Sequence, residues 1–490
     1  MNKIRVIFRA DGNAQIGLGH VTRSLALADM LRDDFECIFA IQQPSDAIRN
    51  QILEVCTSLI ELPLATDYIQ EATALLSRLQ PTDIIVLDGY GFETLCQRVY
   101  KQAGHKLVCI DDIHAYHFVA DVVVNQAGHI NPSRYSHEIY TQLCIGPEQY
   151  ALLRKPFLEK IKENRSSFDR KKLFISFGGG DNNDFTYSIT KQVVEKDLFD
   201  EIVVLVGSAY PYMQNLQLFS EEHSHIKIYQ NIDADQVSNL MHSCMAAICA
   251  PSSVAYEYCA VGGLLFLKQT ANNQLGIVSF LINEKMAYIF DEQFPFITSE
   301  TAIEQDALAM MQSQRRYFTG KSNKAFLKLF KNLAFSKELK VRSADDNDLL
   351  LFFQWANDPE IRKYSYNSNP IELEVHKKWF QNKLLNSNSI MYVVSTSHEP
   401  IAQIRFEVDK EEAIISYLID NKYRGKGLGV TVLLLGIQAV KATHQTVARI
   451  IGYVIKENIA SCKAFERAGF NKDEADSDIY PNSYKYILSV

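Results

Sequence analysis

No apolar run in this 490-residue chain reaches the roughly 20 residues that a bilayer-spanning helix needs. Positive charge is also short. Fifty Lys and Arg stand against 58 Asp and Glu, a formal net charge of −8, so neither nucleic acid nor a membrane surface is expected as a partner. An anionic ligand must therefore be held locally, by backbone N–H groups and a few basic side chains. The nine cysteines form no CxxC pair, and several sit in apolar runs (Cys109 in KLVCID, Cys249 in AAICAP), which reads as buried free thiols rather than zinc or redox chemistry. Internal repeats and low-complexity tracts are missing too. The opening MNKIRVIFRADG lacks the layout of a signal peptide and reads as a strand, so a cytoplasmic location is expected.

What is present is an ordinary globular composition, 47% hydrophobic and 22% charged. The length suggests about three domains. Short apolar runs (IRVIF, CIFAI, DIIVLD, KLVCIDD, DVVVNQ) alternate with helical patterns over residues 1–155, as in a doubly covered parallel sheet. A polar stretch from 155 to 172 reads as a linker. A second series (KLFISFGGG, EIVVLVG, IKIYQN, MAAICAPSS, GGLLFLKQ) fills 170–335. From 341 to 490 the pattern changes to a helical opening followed by the alternation MYVVSTSHEPIAQIRFEVDKEEAIISYLID, which antiparallel strands produce. The fold class expected is α/β, with two Rossmann-like domains followed by an α+β domain, and a ligand between the first two, beyond the carboxyl ends of their strands.

The first loop, RADGNAQIGLGH (9–20), runs from a strand into a helix that His20 opens. A helix N-terminus disfavours imidazolium, so a neutral His20 is suited to take a proton from water. Asp11 can orient His20, hold a sugar hydroxyl or cap its own loop. Arg9 and Arg23 can bind a charged ligand or pair with nearby carboxylates. Asp88, Asp111 and Asp112 lie at strand ends, with no third ligand at suitable spacing, so no metal is assigned. In the second domain, SFGGGDNND (176–184) has the glycines that let backbone approach a phosphate. In APSSVAYEYCAVGGLLFLKQTANNQ, Ser252 and Ser253 precede a helix, Glu257 is one turn in and able to accept ribose hydroxyls, and Asn273 and Gln274 follow the next strand.

Residues 225–275 resemble the nucleotide half of GT-B sugar-nucleotide enzymes, especially the UDP-GlcNAc transferase of peptidoglycan synthesis. That likeness puts uracil at the backbone of Ile232, the diphosphate at Ser252 and Ser253, and ribose at Glu257. The chain departs from it in carrying Pro251 where a glycine pair usually precedes the serine. Across residues 3–330, the loop at 9–28, VLDGYGF (86–92), IDDIHAYHFVADVVVNQ (110–126), GPEQYALLR (146–154) and SFGGGDNND together resemble PseG, the UDP-sugar hydrolase of pseudaminic acid biosynthesis. The resemblance implies metal-free hydrolysis of UDP-2,4-diacetamido-2,4,6-trideoxy-β-L-altropyranose, with C–O cleavage and inversion. It makes His20 the catalytic residue and places Asp11, Gly19, Tyr90, Arg154 and Gly179 among the substrate-binding residues.

In the last domain, Arg424-Gly425-Lys426-Gly427-Leu428-Gly429 follows a strand and opens a helix, so successive N–H groups can hold a pyrophosphate. With RIIGYVIKEN, Asn458, Ser461, Phe465 and AGF downstream, it resembles the acetyl-CoA loop of GNAT acetyltransferases. WANDPEIRKYS (355–365) and HKKWF (376–380) resemble the branch that includes the PseH aminosugar acetyltransferase. Many GNAT enzymes carry at the place of Phe465 a tyrosine that protonates the departing thiolate, which phenylalanine cannot do. Glu407 is a candidate base. The two resemblances together imply a bifunctional enzyme acting on a UDP-amino sugar with water and acetyl-CoA as co-substrates. The alternatives are a GT-B glycosyltransferase using a UDP-amino sugar, a related nonulosonate-pathway UDP-sugar hydrolase with a non-catalytic GNAT domain, and a non-catalytic nucleotide-binding protein.

Overall fold

The computed structural model describes residues 3–490 apart from 13–16, 164, 166–171, 179–180, 208, 272–273, 292–299, 474–479 and 481. It divides into two compact units, Met1–Ser136 with Cys144–Leu327, and His137–Leu143 with Lys328–Val490.

The first unit is built on strands that are buried along almost their whole length, with apolar centres and charged residues such as Arg9 and Asp88 toward their ends. In β1 (Arg5–Ala10) and β4 (Ile84–Asp88), ten of eleven residues are buried, as parallel strands covered on both faces must be. The other strands of this half are β2 (Glu36–Gln42), β3 (Ser58–Leu62), β5 (Lys106–Ile110), β6 (His117–Phe118), β7 (Val122–Asn125), β8 (Ser136–His137) and β9 (Gln142–Ile145). The main sheet runs β3-β2-β1-β4-β5-β7-β9, and β6 pairs with β8 apart from it. The strand order reverses between β1 and β4, which pair in parallel with Ala10 opposite Asp88. Ligands of open α/β sheets bind at such a point.

A second parallel sheet repeats the plan with β10 (Lys172–Ser176), β11 (Glu201–Val206), β12 (Ile226–Gln230), β13 (Ala246–Cys249), β14 (Leu264–Leu267) and β15 (Tyr288–Ile289), in the order β12-β11-β10-β13-β14-β15. Its reversal lies between β10 and β13, where Ser176 stands opposite Cys249. The stretch expected as a linker opens instead with a helix, Lys155–Lys160, whose Phe157 and Leu158 are buried. The two sheets are joined by packing. A Cβ on Gly128 would run into the ring of Phe280, on helix Leu275–Asn283, and Tyr150 meets Phe326 edge-on at 5.6 Å.

The second unit is antiparallel except at one place. Its strands are β16 (Lys340–Ser343), β17 (Ser389–Ser395), β18 (Pro400–Asp409), β19 (Glu412–Ile419), β20 (Arg449–Ile455), β21 (Asn471–Asp473) and β22 (Ser483–Ser489), ordered β16-β17-β18-β19-β20-β22-β21. Helix Gly429–Thr443 buries Val432, Leu433, Ile437 and Val440 in one cluster with Ile404, Phe406, Ala413 and Ile415 of the sheet. Phe352, Trp355 and Phe380 form a second cluster with Met391, Val393 and Leu418. Strands β19 and β20 are parallel and pair from Glu412–Arg449 to Ile415–Gly452. Both continue beyond that register, to Ile419 and Ile455, without pairing further, so the sheet opens there.

Candidate active sites

Helix Gly19–Leu31 follows β1 and places His20, Arg23 and Ser24 on one face, three and four residues apart. That face meets Asp88, which is fully buried at the end of β4. His20 Nδ1 lies 2.7 Å from Asp88 Oδ1, Arg23 donates to both carboxylate oxygens at 2.6–3.0 Å, and Ser24 Oγ donates to Oδ2 at 3.1 Å. Burial raises the Asp88 pKa, but the Arg23 charge and the His20 and Arg23 hydrogen bonds outweigh it, so the carboxyl is held below its ordinary range. An ionised Asp88 can only accept, so this contact is a hydrogen bond donated by His20 Nδ1–H, and Nε2 is the ring nitrogen turned away from it; Arg23 Nη2 also lies 3.1 Å from Nδ1. The half-exposed Tyr90 sets its ring edge-on to His20 at 4.8 Å. Gly19 is the first helical residue, with open space where a side chain would project.

Asp11 is not the partner of His20. It accepts from Arg9 Nη1 at 2.6 Å, the Gln42 amide at 3.0 Å and the Tyr68 hydroxyl at 3.4 Å. Arg9 also makes a bidentate pair with Glu71 at 2.7 and 2.9 Å, and its side chain is fully buried. The paired-aspartate position is likewise occupied by protein groups. Asp112 accepts from Arg23 at 2.9 Å, and Asp111 from the His114 amide at 3.0 Å and the Tyr135 hydroxyl at 3.1 Å. Among the described residues there is no group of three or more His, Cys, Asp or Glu at metal-holding geometry.

On the second sheet, Ser252 is the N-cap of helix Ser253–Val261, and its side chain makes no capping bond. The Ala255 amide already bonds the Ser252 carbonyl at 3.0 Å, so the N–H groups of Ser253 and Val254 stand ahead of the first such bond beside two hydroxyls, a site for an anion. Glu257, buried one turn in, forms a bidentate pair with Arg154 at 2.6 and 2.9 Å. Burial works against the Arg154 charge, but Glu257 more than restores it, and its pKa is raised. Each carboxylate oxygen of Glu257 keeps a lone pair for a ribose hydroxyl. Ile232 lies in the short link between β12 and helix Ala234–Ser243, outside both ladders. Gln274 turns back on its own loop, where its Oε1 accepts from the Thr270 and Ala271 amides at 2.8 and 3.1 Å. Gln274 thus closes its own loop. Gly179 and Asn273 lie outside the described residues.

In the second unit a cavity of about 1360 Å³ reaches from the opened strands to the Arg424–Gly429 loop. Gly425 and Gly427 have φ of +72° and +86°, the left-handed region that glycine tolerates. The first intrahelical bond runs from Val432 N–H to Leu428 C=O, so the N–H groups ahead of it are free to face a phosphate. Arg424 is anchored by two of its nitrogens, Nε donating to the Ile419 carbonyl and Nη1 to Asp358, both at 2.8 Å, while its Nη2 is buried without a partner and the residue lines the cavity. Lys426 lies over the Tyr423 ring, and Leu428 belongs to the core. Asn458 caps helix Ile459–Arg467 by accepting the Ser461 amide at 3.1 Å. Phe465 is a core side chain, stacked on Tyr486 with centroids 5.4 Å apart and seated against Gly452. Tyr417 is the hydroxyl near it, 3.3 Å from Ser461 Oγ. Glu407 is bound to Lys383 at 2.7 Å and does not line the cavity.

The same cavity has polar groups that motif reading did not single out. Arg362 Nε, His376 Nε2, Gln403 Oε1 and Arg405 Nε are buried without a hydrogen-bond partner, and all four residues line it. Burial lowers the pKa of His376, helped by Arg405, and also those of Arg362 and Arg405. Unpaired buried cations and amides are costly unless a ligand satisfies them. The sequence signal available for them was HKKWF, whose His376 and Trp379 both border this space.

Residues 338–471 match the family model of the acetyltransferase (GNAT) domain. The chain is 26% identical over 258 residues to the UDP-2,4-diacetamido-2,4,6-trideoxy-beta-L-altropyranose hydrolase of Campylobacter jejuni, covering 52% of this chain and 87% of that protein. It is 23% identical over 259 residues to the spore coat polysaccharide biosynthesis protein SpsG of Bacillus subtilis, covering 52% and 74%. An uncharacterized protein of Methanocaldococcus jannaschii is 25% identical along 96% of this chain and 97% of its own. A solved spermidine N-acetyltransferase of Vibrio cholerae, with CoA and spermine, aligns to 31% of this chain and 95% of its own at 17% identity and a TM-score of 0.29. The N-terminal half thus has PseG-like hydrolase homologues, of GT-B type, and the C-terminal part is a GNAT domain.

Proposed function

We propose that this chain is a bifunctional UDP-sugar enzyme. Its first unit hydrolyses UDP-2,4-diacetamido-2,4,6-trideoxy-β-L-altropyranose to UDP and the free sugar. Its second acetylates the 4-amine of the UDP-amino-sugar precursor. The observation that carries the hydrolase reading is the His20–Asp88 pair at the strand reversal, 2.7 Å apart and anchored by Arg23.

His20 Nε2 takes a proton from water as the water oxygen attacks the anomeric carbon. The bond from that carbon to the diphosphate oxygen breaks with its electron pair going to UDP, and the configuration inverts. Asp88 stabilises the imidazolium that forms, while its own bond to Nδ1 fixes the ring. Ser252, Ser253 and the first-turn N–H groups of their helix take up the charge developing on the diphosphate. Glu257 receives the ribose hydroxyls, and Tyr90 borders the sugar.

In the second unit, bound acetyl-CoA supplies an acetyl thioester. The loop from Gly425 to Gly429 fits its diphosphate, because two left-handed glycines turn the amides of a nest outward. Arg362 and Arg405 suit an acceptor that carries a diphosphate of its own: the Nε of each is buried without a hydrogen-bond partner, and the Asn369 carbonyl and Ser365 hydroxyl that Arg362 does bond are uncharged, so an anion would complete both.

Purified protein given the UDP-diacetamido sugar alone is expected to release UDP, and His20→Ala to abolish the release. Release that requires an added acceptor would mean a glycosyltransferase. With the 4-amino precursor and acetyl-CoA, free thiol is expected to appear, and its absence would remove the second activity.

A further inference from the structure

The acetyltransferase family model begins at residue 338, yet two side chains from before that point reach its phosphate loop. Helix Ser322–Ser336 carries Lys328 and Asn332, one turn apart on the same face. Lys328 Nζ donates to the Gly425 carbonyl at 3.4 Å, and Asn332 Nδ2 to the Gly427 carbonyl at 3.3 Å. Lys328 also lines the cavity. The fit is close: a Cβ on Gly427 would run into Lys328 Cε and lie 3.0 Å from Asn332 Nδ2.

The peptide unit is planar and trans, so the N–H of one residue points opposite to the preceding C=O. Holding the Gly425 and Gly427 carbonyls toward the helix therefore turns the Lys426 and Leu428 N–H groups to the other side, where a diphosphate would be bound. Left-handed glycines alone leave these peptides free to rotate, and rotation would replace a donor with a carbonyl dipole that repels phosphate.

We infer that Lys328 and Asn332 are positioning residues of the acetyl-CoA site, so that this site extends beyond the GNAT domain into the helix that precedes it. The Lys328 ammonium adds a positive charge at the same mouth. This rests on the acetyl-CoA reading above and sharpens it.

The test uses the full chain and calorimetric binding of CoA, together with initial rates on acetyl-CoA and on acetyl-pantetheine, which lacks the diphosphate. Lys328→Ala and Asn332→Ala are each expected to weaken CoA binding and raise KM for acetyl-CoA about fivefold, the size of one hydrogen bond to a loop of this kind. The kcat, the acetyl-pantetheine kinetics, UDP release and the melting temperature should stay unchanged. Lys328→Arg, which keeps a donor and the charge, should restore most of the binding. Variants that bind CoA as tightly as the parent would overturn the inference alone. Variants that lose equally with acetyl-pantetheine would overturn it too, because the effect would not pass through the phosphate loop. A parent chain that binds no CoA would instead remove the acetyl-CoA reading on which the inference stands.

Discussion

Asp88→Asn separates the two jobs of the buried carboxylate. The replacement keeps the shape but not the charge, and its amide donates where the carboxylate accepted. Arg23 then keeps only Asp112, at 2.9 Å, as a charged partner. Breaking a buried ion cluster costs about 3–5 kcal/mol, and the surviving Asp112 contact puts this case near the lower end. At roughly 2 °C per kcal/mol for a unit of this size, about 3 kcal/mol lowers the melting temperature by about 6 °C. The effect on rate is larger. An amide N–H pointing at His20 Nδ1 moves the ring proton to Nε2, which removes the base from the side where water would react. A loss of about 1000-fold in UDP release is expected, equivalent to about 4 kcal/mol of barrier. Ser24→Ala is the control. It removes a 3.1 Å bond to the other carboxylate oxygen without touching His20, so about 1 kcal/mol of stability goes and hydrolysis stays within about threefold. UDP release and thermal melting, measured on all three proteins, decide the matter. If Asp88→Asn melts early but still hydrolyses within about tenfold of the parent, Asp88 is only the counter-ion of Arg23 and the base assignment loses its orienting partner.

Replacing Ser252 and Ser253 together by alanine should raise KM for the UDP-sugar and Kd for UDP about tenfold, two modest hydrogen bonds, with a smaller change in kcat; unchanged UDP affinity in a binding titration would place the diphosphate elsewhere. Gly452→Ala would push a methyl group into the Phe465 ring, so the GNAT part should lose about 1–3 kcal/mol and melt earlier, and an unaltered melt would show that the ring can move aside. Asp88, Asp348 and Asp358 should together set an acid limit. Burial raises each pKa, but Arg23, Arg342 and Arg424 outweigh it and hold all three carboxyls below their ordinary range. The unfolded chain therefore takes up these protons at higher pH than the folded one. Their stabilisation is complete above the ordinary carboxylate range and is lost as pH falls through the folded values, so chemical denaturation midpoints should drop steeply there. A midpoint that rose on acidification would contradict that sign.

The parallel sheets were legible because strands buried on both faces are written as unbroken apolar runs, and the glycine loops because each falls between such a run and a helix. Strand β3 was not, since SLIEL mixes exposed and buried positions at a sheet edge. The partners of the candidate site residues were hidden for a different reason. Asp88 is 68 residues from His20, and Glu257 is 103 from Arg154. Only strand adjacency in one case, and the packing of two sheets in the other, brings them together. Sequence proximity left Asp11 as one candidate to orient His20, beside holding a sugar hydroxyl or capping its own loop, and the pattern already argued against the first. Side chains two apart on an extended segment share a face, so Asp11 goes with Arg9, and Arg9 goes with Glu71. The missing hydroxyl at Phe465 has a comparable explanation. Its ring fills the space above Gly452 and stacks on Tyr486, so the position is constrained by the core as well as facing the cavity. A polar atom added at the ring tip must therefore find a partner in the cavity or cost stability. Phe465→Tyr should raise the acetyl-transfer rate only if its hydroxyl reaches the opened strands, and a variant that melts lower with no gain in rate would show that it does not.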